Sequence, residues 1–165
     1  MKKVKSVAPE KKKISPFYIA AAAIVGILLI SAAVWFFVLT PPPVQDEGAK
    51  FQKAGALYTK SVDLANDGQY QQALDTADQA LALNVTSLTP LIQANRAGIL
   101  VMLGDNMEAI AASDASIAAA GNLTNTTSVA YFNKGNALKN LGRYDEARLA
   151  YNNATALDPT LVSPL

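Results

Sequence analysis

The sequence contains no cysteine and no histidine. Without cysteine there is no disulfide, no thiolate nucleophile, no lipid-modified thiol and no thiolate metal site. Without histidine the chain lacks the commonest acid/base group near neutral pH and the commonest metal ligand. Charge of either sign is missing from the whole stretch between Lys13 and Asp46. No glycine loop that cradles phosphate occurs, and no catalytic triad can be assembled. Two carboxylate pairs remain, Asp75 with Asp78 and Asp145 with Glu146. Neither has a nucleophile or base beside it, so both read as solvated helix faces or helix N-terminal charge. These absences argue against an enzyme and lead us to expect no cofactor and no metal.

The net charge of +1 hides an asymmetry. Residues 1–13 hold six lysines against one glutamate, and the remainder carries eight basic and twelve acidic residues. A mildly acidic domain with scattered lysines lacks the concentrated basic face that nucleic acid requires. What the N-terminal region does contain is the pattern of a bilayer anchor. Phe17 to Leu39 is uncharged over 23 residues. As a helix it would be roughly 35 Å long, against a hydrocarbon core of about 30 Å. Phe17 and Tyr18 sit at one end and Trp35, Phe36 and Phe37 at the other, as interfacial aromatics do. Pro16 suits a helix start, and Pro41 to Pro43 stop it. A cleaved signal peptide has a shorter apolar core, and its small-residue site, Ser31-Ala32-Ala33, would lie inside the run. A pilin-type leader resembles this pattern but usually brings a glutamate near the start of the apolar helix, and none is present. The expected layout is a basic cytoplasmic leader (1–16), a transmembrane helix in the lipid bilayer (17–39), a Pro-rich linker (40–45), an extracytoplasmic domain (46–160) and a tail (161–165). Lysine-rich flanks stay cytoplasmic, which sets the orientation at the cell membrane.

The domain spells one fragment three times, from Gly68, Gly104 and Gly142. Five residues after each glycine stand Ala73, Ala109 and Ala147. Four before stand Leu64, Leu100 and Leu138, and seven before stand the small residues Ser61, Ala97 and Gly135. Glycine ends a helix in the left-handed conformation, small residues let two helices approach, and leucine fills the space between them. The period is that of a helical repeat array, with helices expected near 46–67, 70–83, 89–103, 106–120, 127–141 and 144–157.

This pattern resembles the tetratricopeptide repeat family. The third unit, 128–159, carries Tyr131, Gly135, Leu138, Gly142, Tyr144, Ala147, Tyr151, Ala154 and Pro159 at the family's signature places. The first, 54–85, keeps Leu57, Leu64, Gly68, Tyr70, Ala73 and Ala80, with Val85 where proline is usual. The second, 90–121, keeps Ala97, Leu100, Gly104 and Ala109 and departs at Gln93, Asn106 and Ser116. The resemblance implies an all-α fold, an α-solenoid of three helical hairpins following the transmembrane helix.

It also implies a peptide-binding groove lined by the first helix of each unit. Carried over by position, the groove holds Tyr58, Val62, Ala65 and Asn66, then Leu91, Ala94, Gly98 and Val101, then Val129, Phe132, Asn136, Lys139 and Asn140. Tyr58, Val62 and Phe132 would equally serve as packing between helices. The family's chaperone-binding branch clamps two carboxylates with Lys and Asn, Asn, then Lys and Arg. The matching places here hold Tyr58, Val62, Asn95, Val129 and Asn133, so only Asn95 agrees and capture of an acidic C-terminus is not expected.

Asn-X-Ser/Thr occurs at Asn84, Asn122, Asn125 and Asn153, all beyond the apolar run. Chance supplies roughly one such sequon at this composition, so these are candidate glycosylation acceptors on an external domain. The short leader points to a prokaryote, archaeal or bacterial. After Pro159 only six residues follow, too few for a capping helix of ordinary length. We therefore expect the last helix to expose Leu149, Ala156 and Leu157, unless the tail folds back over it. Two functions compete: a membrane-anchored adaptor or scaffold for secreted or membrane proteins, and a structural component that self-associates through uncapped ends into a surface layer or filament.

Overall fold

The computed structural model describes residues 47–165. The leader, the apolar run 17–39 and the linker lie outside the described residues. Among those described, six helices follow one another: α1 Glu47–Asn66, α2 Tyr70–Leu81, α3 Thr89–Leu103, α4 Asn106–Ala119, α5 Thr124–Asn140 and α6 Tyr144–Leu157. None is long and apolar enough to cross a membrane.

The three glycine turns are one device used three times. Gly68, Gly104 and Gly142 have φ of +75°, +88° and +73°, where a Cβ would be penalised. Past each glycine the next backbone N–H reaches back to a leucine carbonyl: Gln69 to Leu64 at 2.8 Å, Asp105 to Leu100 at 2.9 Å and Arg143 to Leu138 at 2.9 Å. This six-to-one bond satisfies a carbonyl that the helix end leaves bare. The leucine that fills the hairpin thus also anchors its turn. α1 pairs with α2, α3 with α4 and α5 with α6, and each second helix packs on the next hairpin.

The core is built mainly from alanine. Ala73, Ala77, Ala80, Ala97, Ala109, Ala137, Ala147 and Ala154 are fully buried. Such small side chains bring backbones close but each removes little apolar area from water. The larger fillers are few: Ile92, Leu100, Leu138 and Tyr151. Tyr151 fits because it faces Gly135, where a Cβ would stand 2.6 Å from the ring. At the corresponding places the first hairpin pairs Ser61 with Ala77 and the second pairs Ala97 with Ser113. Only the third hairpin sets a glycine against a large ring at this place.

Contacts between hairpins also repeat in register. Arg96 Nε donates to Asp78 Oδ1 at 2.7 Å, and Lys134 Nζ to Asp114 Oδ1 at 2.6 Å. The residue before each cation is an asparagine that looks back one hairpin: Asn95 Nδ2 donates to Ser61 Oγ at 2.9 Å, and Asn133 Nδ2 to the Ala94 carbonyl at 3.0 Å. Leu74 and Ile110 fill the same junctions, each packed on the core of the following hairpin.

At the C-terminal end that row changes character. Arg148 stands where Leu74 and Ile110 do, Asn152 where Asp78 and Asp114 do, and Thr155 where Leu81 and Ile117 do. Leu149, Ala156 and Leu157 are exposed, as expected, but Leu149 and Ala156 correspond to Asp75 and Ala111 and to Ala82 and Ala118, which are exposed in the earlier hairpins too, so they do not mark the stacking face. The helical spacing was right, but the face was off by one position, because stacking contacts run along the 74–78–81 row. The tail does meet the helix: Thr155 Oγ1 donates to the Leu161 carbonyl at 2.7 Å, while Val162 and Leu165 stay exposed. At the other end, Asp63 replaces the buried pair Ile99 and Ala137, and Lys60 replaces Arg96 and Lys134.

Candidate peptide-binding groove

The first helices do not meet uniformly. α3 lies along α5 but touches α1 only briefly. The space left beside α1 is a groove of about 400 Å³ that extends across all three first helices, lined by Ala65 and Asn66 of α1, Tyr70 of α2, Ala94, Asn95, Gly98, Ile99 and Met102 of α3, and Val129 and Asn133 of α5. No lining residue is charged. Gly98 supplies part of the floor: an added Cβ would lie 3.2 Å from the Asn133 amide nitrogen.

Of the thirteen residues carried over to the groove from the resemblance, Ala65, Asn66, Ala94, Gly98 and Val129 line this cavity. Tyr58 packs with Leu57 on the cluster of Ala77, Ala80 and Ile92. Val101 packs on the cluster of Ala97 and Leu100. Phe132 packs against Tyr151, with ring centroids 5.5 Å apart at 59°. Asn136 Oδ1 accepts the Tyr151 hydroxyl at 2.8 Å, and burial pushes that phenol above its ordinary range. Val62, Leu91 and Lys139 are half-buried elsewhere on the first helices. Asn95, weighed only as a clamp residue, is held by Ser61. Tyr70, Ile99, Met102 and Asn133 also line the groove. A signal for Met102 existed, since 95, 98 and 102 share one helix face.

The second junction is closed at the equivalent place. Asn140 Nδ2 donates to Asn106 Oδ1 at 3.0 Å. In the first junction those two positions are Met102 and Tyr70, which make no such bond.

The carboxylate pairs are engaged on the surface. Asp75 accepts from Gln71 at 3.3 Å, Asp78 from Arg96, Asp145 from Arg148 at 2.6 Å and Glu146 from Arg143 at 2.6 Å. The Arg143 guanidinium holds the Glu146 carboxyl below its ordinary range, and hydrogen bonds from Thr160 do the same for Asp158. Among the described residues, no three acidic side chains gather into a group that could hold a metal. The four sequon asparagines are exposed. Asn84 and Asn122 lie between helices, whereas Asn125 is in the first turn of α5 and Asn153 is inside α6. α5 starts three residues earlier than expected, which takes Asn125 out of the loop.

Residues 128–161 match the family model Tetratricopeptide repeat. The fold is a tetratricopeptide-like helical solenoid. Two solved structures are similar over most of their length. The first tetratricopeptide domain of the human RPAP3 protein, an NMR structure, aligns with a TM-score of 0.58 and 23% identity, covering 65% of this chain and 80% of that one. The first tetratricopeptide repeat of Spaghetti (RPAP3), bound to the HSP90 peptide SRMEEVD, aligns with a TM-score of 0.58 and 25% identity, covering 66% and 81%. No curated protein matches the chain.

Proposed function

We propose that this chain is a protein-interaction module that holds an extended segment of another protein in the groove across the first helices of its hairpins. The observation that carries this reading is an open, uncharged groove on a tetratricopeptide-like stack. That a similar domain carries a bound peptide supports it. The ligand chemistry differs, however. SRMEEVD is acidic, and the clamp places here hold Tyr58, Val62 and Val129, with the Asn95 amide already donating to Ser61. An acidic C-terminus would find no cation in this groove.

The reading places the module at a membrane, held by residues 17–39 with the domain on the far side from the lysine-rich leader. The uncharged run and the lysine asymmetry support this placement. A tether raises the effective concentration of the module for membrane partners. Self-association through the ends finds little support: Arg148, Asn152 and Thr155 occupy the stacking row at one end, and Lys60 and Asp63 at the other. A second copy's Lys60 would meet Asn152 instead of an aspartate.

Photo-crosslinking in the native membrane tests the reading. A benzoylphenylalanine at Met102 should yield adducts with a polypeptide, and one at Arg148 should not. Equal adduct yield at the two positions would overturn the groove assignment. Protease added to intact cells, with any outer layer opened, should remove the domain and spare the leader, and a protected domain would reverse the topology.

A further inference from the structure

The groove is asymmetric along its length, and that asymmetry carries information about the ligand. At the open side Met102 and Tyr70 both line the groove, whereas at the equivalent place between the second and third hairpins Asn140 and Asn106 are bonded to each other. Met102 of α3 is 59% exposed and Val129 of α5 41% exposed, so two apolar side chains from neighbouring first helices project into the groove, and buried Ile99 also lines it. Three amides surround them. Asn95 and Asn133 each donate one N–H to the preceding hairpin, which fixes their orientation. Among the described residues, the Oδ1 of each accepts no protein bond and the Asn66 side chain makes none. A rigid amide with a free carbonyl and a remaining N–H presents the donor–acceptor pattern that a peptide main chain presents. The volume of about 400 Å³ lies at the lower end of the range for a ligand pocket.

Resting on the peptide-groove reading, we propose that this groove, open beside α1, is a pocket for one aliphatic side chain of an uncharged, extended segment. Met102, Ile99, Tyr70 and Val129 enclose that side chain, and Asn66, Asn95 and Asn133 bond the flanking main chain. The charge argument selects the occupant. An acidic or basic side chain would lose hydration in a site with no counter-charge, whereas an aliphatic one loses none. A main chain gains directional bonds here without requiring a particular sequence beside the anchor.

The test uses the full-length chain in detergent micelles and fluorescein-labelled nine-residue peptides of one neutral Ser/Thr/Asn frame, differing only at the central residue: Leu, Asn or Asp. SRMEEVD is the fourth probe. In fluorescence anisotropy the Leu peptide should bind about tenfold or more tighter than the Asn and Asp peptides, the order of discrimination a small apolar pocket provides. SRMEEVD should bind no better than the Asp peptide. Met102→Glu and Val129→Glu, at exposed positions where the melting temperature should stay unchanged, should each erase the preference for Leu. A Leu peptide that binds equally well to both variants would overturn the pocket while leaving the groove reading intact. Preference for SRMEEVD would overturn the neutral-segment assignment. Absence of binding by all four peptides would overturn the pocket, and crosslinks at Met102 in the membrane would then show whether the broader reading survives.

Discussion

The third hairpin and the second share a turn and differ in how they are filled. Both end their first helix on a left-handed glycine with the same backbone bond to a leucine carbonyl. Inside, the third places a tyrosine ring against Gly135, gives its hydroxyl to Asn136 and packs Phe132 against it at a tilt. The second places Ser113 at the tyrosine's position, fully buried with its hydroxyl unpartnered, and leaves Gln93 Oε1 unpartnered as well. The turn is a local property of the chain, so both hairpins have it. The filling is a property of a pair of residues on different helices, so it is correct only when both change together. The family model matches 128–161, the hairpin in which this pair is complete.

Breaking the pair in the third hairpin should have the largest effect. Tyr151→Ala removes a buried aromatic and strands the Asn136 acceptor, and a loss of about 3–5 kcal/mol is expected in urea unfolding. Gly135→Ala sharpens the comparison. In an open helix it would stabilise by about 1 kcal/mol through propensity. Here the added methyl meets the Tyr151 ring at 2.6 Å, and overpacking of about 1–3 kcal/mol should outweigh that gain. Combined with Tyr151→Ser, which copies the second hairpin, the methyl should cost nothing further. A double-mutant cycle with no coupling would show that the two positions do not complement each other.

Gly142→Val separates conformation from packing. A Cβ there has nothing within 4 Å, so the expected loss of about 1–2 kcal/mol is the backbone penalty of the left-handed region alone. An unchanged melting temperature would place the turn elsewhere. The smallest effect has the opposite sign. Ser113→Ala deletes an unsatisfied buried hydroxyl and should leave stability equal or raise it by about 1 kcal/mol. A clear loss would mean that the hydroxyl is hydrogen-bonded in solution.

The helices and their turns were legible because their causes are short-range: a glycine, the leucine four residues before it and an alanine five after. The all-α solenoid follows from repeating that unit. The register of the ion pairs was also present in the chain, since aligning the glycines sets Asp78 with Asp114 and Arg96 with Lys134. That those acids and cations meet was not, because each pair spans separate hairpins, 18 and 20 residues apart. The same limit applied to the groove. Position alone sets Tyr58, Val101 and Phe132 on the first helices, yet whether a side chain lines a groove or fills a junction depends on how closely the neighbouring helix approaches. α3 approaches α5 and stands off from α1. The sequence by itself determined where each helix stops and that three hairpins could stack, because capping and periodicity act within a few residues. Only the tertiary structure decided which junction is open, because that spacing depends on contacts between residues that are distant in the chain.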